Sequence, residues 1–451
     1  MQDSGAVDWY IGVAAAFGHG PEVVGRARDV SEDCLYLNVW TPDPGSDAGL
    51  PVMVFVHGGG NSGGWSYEPN YLGARLASRG VVVVTVAHRL GPFGFFSHPA
   101  LAGEGDEAQA NFALFDLRAA FHWVREHISA FGGDPSNITA FGESSGAINL
   151  IDLMLQDAYA ARIGDSLFRR LISQSVGGSL AERQTLADDR ERGETIAGFL
   201  GLEGEVTAGQ LRSVPAADLL RAVEQLPADD YPDAVMDGRS LTDLPLRLAR
   251  TADLSGVEMI LGTNADEWLM YIDEDAGQGD LNDWVDRNAP EQRAELLQAV
   301  ADAPDARHAL DRLETARNMV CPSRFLAQQI NSRGGHAWVY YFSRQRTGRG
   351  GQALGAYHGA ELPYVFDTHD RWLPTQAPDR FVTRTVMDLW TRFARTGDPN
   401  SGQATHWPVF APGSESVLRI DQPAHLMKPH DHDLCAILGG EPDIQSEGER
   451  P

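Results

Sequence analysis

The chain predicts an α/β protein with a mostly parallel central sheet and helices on both faces. Three observations carry that expectation. Short β-branched and aromatic runs recur along the chain, amphipathic helical stretches separate them, and one abrupt Gly/Ser turn joins such a run to a helix.

The strand-like runs lie at 35–40, 52–57, 81–86, 138–141, 171–174, 259–262 and 338–342. The clearest helical pattern spans 111–128, where Leu114, Leu117, Phe121, Val124 and Ile128 share one stripe. Asp116, Arg118, Arg125 and Glu126 fall mostly elsewhere, and the pattern stops at FGGDP, where Gly132, Gly133 and Pro135 break it. Residues 180–256 and 272–335 carry amphipathic helical patterns rich in Ala, Leu, Asp and Arg, without a composition shift that would mark a linker. They read as insertions over one face of a single domain, 1–438, followed by a flexible tail, 439–451.

Composition narrows the function. The 451 residues are 43% hydrophobic and 22% charged, which is globular, and no apolar run approaches the ~18 residues that span a bilayer. Thirty-six basic against 63 acidic residues give a net charge of -27, which repels phosphate backbones and anionic lipid. Nucleic acid and membranes are therefore poor partners, and a small molecule is the expected ligand. No basic-then-apolar leader is visible at the start, so cytoplasmic is the default localisation. Cys34, Cys321 and Cys435 permit at most one internal disulfide and match no zinc or redox spacing.

The turn lies in ITAFGESSGAINL, residues 138–150. A strand that reverses into a helix within a few residues strains its tip and leaves room only for very small residues two positions either side. With Ser144 at the tip those positions are Gly142 and Gly146, completing G-x-S-x-G; with Ser145 they would be Glu143 and Ala147. Ser144 is the expected nucleophile. The Ser145 N–H then opens the helix, facing a developing negative oxygen.

A serine needs a base, a carboxylate to hold that base, and N–H donors for an oxyanion. VMVFVHGGGNSGG places His57, Gly58, Gly59 and Gly60 directly after a strand, where glycine lets backbone N–H groups approach a substrate closely. Asp266 and Glu267 follow the 259–262 strand, and Asp237 in VMDG is a rival acid. Eight of the 14 histidines lie beyond Glu267. His358, in GAYHGAELPYVF, follows the 338–342 strand and is favoured as base over His425, His430 and His432, which sit in a polar, tail-like segment. The HDHD run at 430–433 reads as solvated chain rather than a metal site. No cofactor or metal is expected.

SEDCLYLNVWTP (31–42), FVHGGG (55–60), HRLGPFGF (88–95), WVREHISAFGGDPSNITAFGESSGA (123–147), GTNADEW (262–268) and HGAELPYVF (358–366) occur in this order. The chain thereby resembles the type B carboxylesterases, the group that holds the cholinesterases and bacterial para-nitrobenzyl esterases, over roughly 30–435. The resemblance implies an α/β-hydrolase fold. It further implies Ser144 as nucleophile, Glu267 as acid, His358 as base and the N–H groups of Gly59, Gly60 and Ser145 as oxyanion hole. Asp237 falls in a DG segment that is not catalytic in the family, and Ser175 in RLISQSVGG matches a serine that hydrogen-bonds beside the triad. Cys321 and Cys435 resemble a pair bridged in some members, and Cys34 is expected as a free, buried thiol. Family members carry a longer stretch before SEDCLYLN than the 30 residues that precede Ser31 here. Asn61 stands where an aromatic residue often follows the third glycine, and His88 stands where YRLG is common.

The expected function is ester hydrolysis through a Ser-His-Glu triad and an acyl-enzyme, by a monomer or weak homo-oligomer. The alternatives are a non-catalytic binding or adhesion module on the same fold, and an amidase or lactonase using the same residues.

Overall fold

The computed structural model describes residues 4–25, 30–102, 110–160, 166–177, 180–202, 204–227, 230–400, 406–411, 415–428 and 431–438. The expected tail, 439–451, and His430 lie outside the described residues.

Nine strands form one sheet: β1 (Leu37–Trp40), β2 (Leu50–Val56), β3 (Val82–Val86), β4 (Gly133–Glu143), β5 (Arg170–Gln174), β6 (Glu258–Asn264), β7 (His336–Phe342), β8 (Val417–Ile420) and β9 (His425–Met427). Their spatial order is β1-β3-β2-β4-β5-β6-β7-β8-β9. Only the outermost pairs, β1 with β3 and β8 with β9, are antiparallel; β2 to β8 run parallel. Parallel strands need crossovers, and those crossovers cover both faces with helices, so the inner strands are buried over most of their length.

Successive side chains point to opposite faces, and the core divides accordingly. Val52, Val54 and Val56 of β2 pack with Leu114, Leu117 and Phe121 of the helix Phe112–His127 and with Leu150 and Ile151 of the helix Ser145–Tyr159. Met53 and Phe55 point the other way, into a cluster with Phe141, Trp338, Val386, Trp390 and Phe393, the last three from the helix Ala377–Thr396. A third cluster, including Leu281, Trp284, Leu296, Leu310, Leu313 and Leu434, lies within and beside the 272–335 segment. The helix Cys321–Ser332 of that segment sends Phe325, Leu326 and Ile330 into the main core.

The structure differs from the sequence expectations in several places, the strand β8 (Val417–Ile420) among them. β1 starts at Leu37, because Leu35 and Tyr36 are exposed. β4 reaches back to Gly133, since Leu50 pairs with Gly133 across an irregular register that absorbs Asp134 to Asn137. His425 belongs to the edge strand β9 rather than to a tail; the strand is three residues long and too short to show periodicity. Cys321 and Cys435 are bridged, with Cα atoms 5.4 Å apart, and Cys34 is free and buried. No helix among the described residues is long and apolar enough to cross a membrane.

Candidate active site

The residues singled out above follow the carboxyl ends of β2, β4, β6 and β7, the edge at which parallel sheets expose their loops. Ser144 lies between β4 and its helix with φ 54° and ψ -131°, a conformation that costs an ordinary residue roughly 1–3 kcal/mol. The flanking glycines explain how the turn closes. A Cβ on Gly146 would come within 2.3 Å of the Val56 and His57 carbonyl oxygens, and one on Gly142 within 2.9 Å of the Ala147 nitrogen. Even Gly58 lies against the turn, where a Cβ would stand 2.9 Å from the Ser144 Cβ.

Glu267 is fully buried, and each of its oxygens has a partner. Oε1 accepts the Asn264 N–H at 2.7 Å, and Oε2 lies 2.7 Å from His358 Nδ1. The rival acid Asp266 turns the other way. It accepts the Ala356 N–H at 2.6 Å and occupies the space beside Gly355, so it ties down the loop that carries His358. Asp237 accepts the N–H groups of Arg239, Ser240 and Leu241 and shapes a turn. Glu361, three residues after His358, accepts from Gln174 at 2.8 Å and Asn264 at 2.6 Å, which fastens the same loop to β5 and β6.

His358 Nε2, the nitrogen left for a substrate-side proton, has Glu143 Oε1 at 3.2 Å, outside hydrogen-bond alignment. Burial alone would lower the imidazole pKa. The Glu143 and Glu267 carboxylates outweigh it and hold His358 above the usual imidazole range. Burial likewise pushes Glu143 up to about 8, opposed by the His358 charge. Among the described residues, the Ser144 hydroxyl has no hydrogen-bond partner. The Ser175 hydroxyl, expected beside the triad, is fully buried and likewise unpartnered.

Gly59 and Gly60 turn with φ 108° and 61°, and no described backbone hydrogen bond uses either N–H. Ser145 is the first residue of its helix, so its N–H has no intrahelical acceptor. Gly58, Gly59, Gly60, Glu143, Ser144 and His358 line the polar side of one cavity of about 490 Å³. Trp9, Tyr10, Tyr71, Met270, Tyr271 and Leu362 supply an apolar wall.

Part of that wall was missed in the sequence. The helix Ser4–Ala16 contributes Asp8, Trp9, Tyr10 and Gly12, docked where Tyr10 donates to Glu68 Oε2 at 3.1 Å and Trp9 packs 6.0 Å from the Tyr357 ring. Burial pushes Glu68 up to about 7. Its approach to Tyr10 has no local sequence signal. Glu143 did have one, since the residue before the elbow serine shares its loop edge.

The carboxylesterase family model matches residues 14–435. The para-nitrobenzyl esterase of Bacillus subtilis (strain 168) is 32% identical over 416 residues, covering 87% of this chain and 79% of that protein. The fumonisin B1 esterase of Sphingopyxis macrogoltabida is 32% identical over 406 residues, covering 85% and 72%. Two solved structures of PNB esterase superpose with TM-scores of 0.75 and 0.76 at 29% and 30% identity. They cover 92% and 91% of this chain, and 87% and 85% of theirs. The chain thus belongs to the carboxylesterase family and is a carboxylic-ester hydrolase on an α/β-hydrolase fold.

Proposed function

We propose that the chain hydrolyses small-molecule esters through an acyl-enzyme on Ser144, with His358 as general base and acid and Glu267 as its holder. The observation that carries this reading is the single cavity into which segments 58–60, 143–144 and 358 converge, with Glu267 closing on the far imidazole nitrogen. Ser144 Oγ attacks the ester carbonyl carbon as its proton passes to His358 Nε2. The carbonyl oxygen, now negative, accepts from the N–H groups of Gly59, Gly60 and Ser145. Collapse breaks the bond to the alcohol oxygen, which takes the proton from His358, and water removes the acyl group by the same path. Glu267 keeps the Nδ1–H tautomer and stabilises the imidazolium.

The apolar wall suits esters with a compact hydrophobic or aromatic group, and nothing in the proposed sequence of steps calls for a cofactor. One continuous sheet built from 37–427 supports reading the chain as a single hydrolase unit whose helical segments at 180–256 and 272–335 are insertions. Matched p-nitrophenyl esters, p-nitroanilides and lactones test the reaction class. Turnover confined to the esters supports the proposal; anilide or lactone turnover at equal kcat/KM reassigns it. Failure of a fluorophosphonate to label the chain at all would favour a binding module.

A further inference from the structure

Residue 61, where the chain carries asparagine, is a four-way junction. Its N–H donates to Ser145 Oγ at 3.1 Å, and its carbonyl accepts the Gly91 N–H at 2.7 Å. Its side-chain amide pairs reciprocally with that of Asn149: Asn149 Nδ2 donates to Asn61 Oδ1 at 2.8 Å, and Asn61 Nδ2 reaches Asn149 Oδ1 at 3.3 Å. Asn61 Nδ2 also donates to Asp233 Oδ1 at 2.7 Å. Asn61 is 2% exposed and Asn149 fully buried, so water cannot replace these partners.

We infer that Asn61 and Asn149 form an amide clasp that fixes the oxyanion-donor loop against the nucleophile's helix, which makes them positioning residues for acyl transfer. The inference rests on the proposed roles of Gly59, Gly60 and Ser145. The physical need is plain. Two consecutive glycines at positive φ leave the loop many conformations, whereas a donor misplaced by about 1 Å forfeits ~10²-fold in rate. The clasp lies immediately after those glycines in sequence. On the helix side, Asn149 is four residues beyond Ser145 and so on the same face, where one turn of helix transmits its position to the Ser145 N–H. Asn61 itself turns with φ 55°, a conformation asparagine tolerates better than most side chains. Asp233 extends the junction into the 180–256 segment, where Arg183 lies 3.6 Å from Asp233 and 2.8 Å from Asp152 of the same helix.

The test is Asn149→Leu, which keeps the branched skeleton and removes the amide's hydrogen bonds. A trifluoromethyl ketone serves as probe, because Ser144 Oγ adds to its carbonyl carbon and its oxygen becomes an oxyanion in the same hole. The clasp predicts that kcat on p-nitrophenyl acetate falls about 10- to 100-fold with KM within about threefold of the parent. Ketone affinity should weaken by the same factor as kcat/KM. Folded Asn149→Leu protein with parent kcat and ketone affinity overturns the inference, as does a loss that only tracks the folded fraction. If that variant does not fold, Asp233→Asn decides. Its side chain is 49% exposed, and the exchange removes the charge that accepts from Asn61 and that faces Arg183 at 3.6 Å. A smaller parallel fall in kcat/KM and ketone affinity supports the clasp, and parent kinetics overturn it. Should Ser144→Ala abolish turnover while the clasp variants keep parent rates, only the clasp is lost and the triad reading stands.

Discussion

Glu143 Oε1 stands 3.2 Å from His358 Nε2, on the nitrogen that takes the Ser144 proton in the proposed mechanism. The imidazole is thus bracketed by carboxylates, with Glu267 on Nδ1 at 2.7 Å. Each negative neighbour stabilises the imidazolium, and a charged His358 cannot act as base.

The pH profile follows from that bracket. Glu143→Gln removes one source of the upward shift, so the His358 pKa falls and neutral imidazole persists to lower pH. The acid limb of kcat/KM is expected to move to lower pH in this variant, and a pH–rate series from 5 to 10 reads the displacement. An unmoved or upward-shifted limb would show that Glu143 does not act on the base.

The elbow glycines admit no side chain. Gly146→Ala places a methyl 2.3 Å from two carbonyl oxygens, and the chain cannot yield there without separating β2 from the helix Ser145–Tyr159. A destabilisation of about 2–4 kcal/mol or more is expected, with esterase activity lost from any protein that folds. Urea denaturation and residual turnover measure both effects.

How far the site was legible follows from the same residues. G-x-S-x-G could be read because its steric rule is local: Gly142 and Gly146 lie within two positions of Ser144. The parallel sheet was legible for a similar reason, as β2 and β3 are near-continuous apolar runs. Glu267 against Asp266 was not decidable from spacing alone. Adjacent residues at a strand end face different ways, and only the path of the 355–358 loop fixes which one meets His358. The wall from the helix Ser4–Ala16 was invisible because its contact with Glu68 and Tyr357 is made across 58 and 348 residues, with nothing in the local pattern to announce it.

His88 offers a stability test. It is buried, neither ring nitrogen has a hydrogen-bond partner among the described residues, and its ring lies 4.8 Å from that of His57. Burial, then the His57 charge, holds its pKa well below the ordinary imidazole value. The folded state therefore binds fewer protons here than the unfolded chain, and its stability is eroded as pH falls below about 6.5. His88→Phe should raise stability by about 1–3 kcal/mol at neutral pH and by more at pH 5. Paired denaturation curves at the two pH values check this; equal gains at both would contradict it.

The Cys321–Cys435 bridge closes a separation of 114 residues. A loop of that size predicts that Cys321→Ser with Cys435→Ser costs about 3–5 kcal/mol. Neither cysteine lines the cavity, so kcat per folded chain is expected to stay at the parent value. Thermal melts with and without reductant, alongside turnover at 25 °C, separate the two quantities.

The central claim is that Ser144 carries the acyl group. Rapid mixing with p-nitrophenyl acetate followed by acid quench and peptide mass analysis tests it, with Ser144→Ala as the comparison. The account predicts an acetyl adduct on the peptide containing Ser144, absent in the variant, and a fall in kcat of about 10⁴- to 10⁶-fold. Parent-rate hydrolysis by Ser144→Ala, or an acetyl group trapped on any other residue at turnover speed, would contradict it.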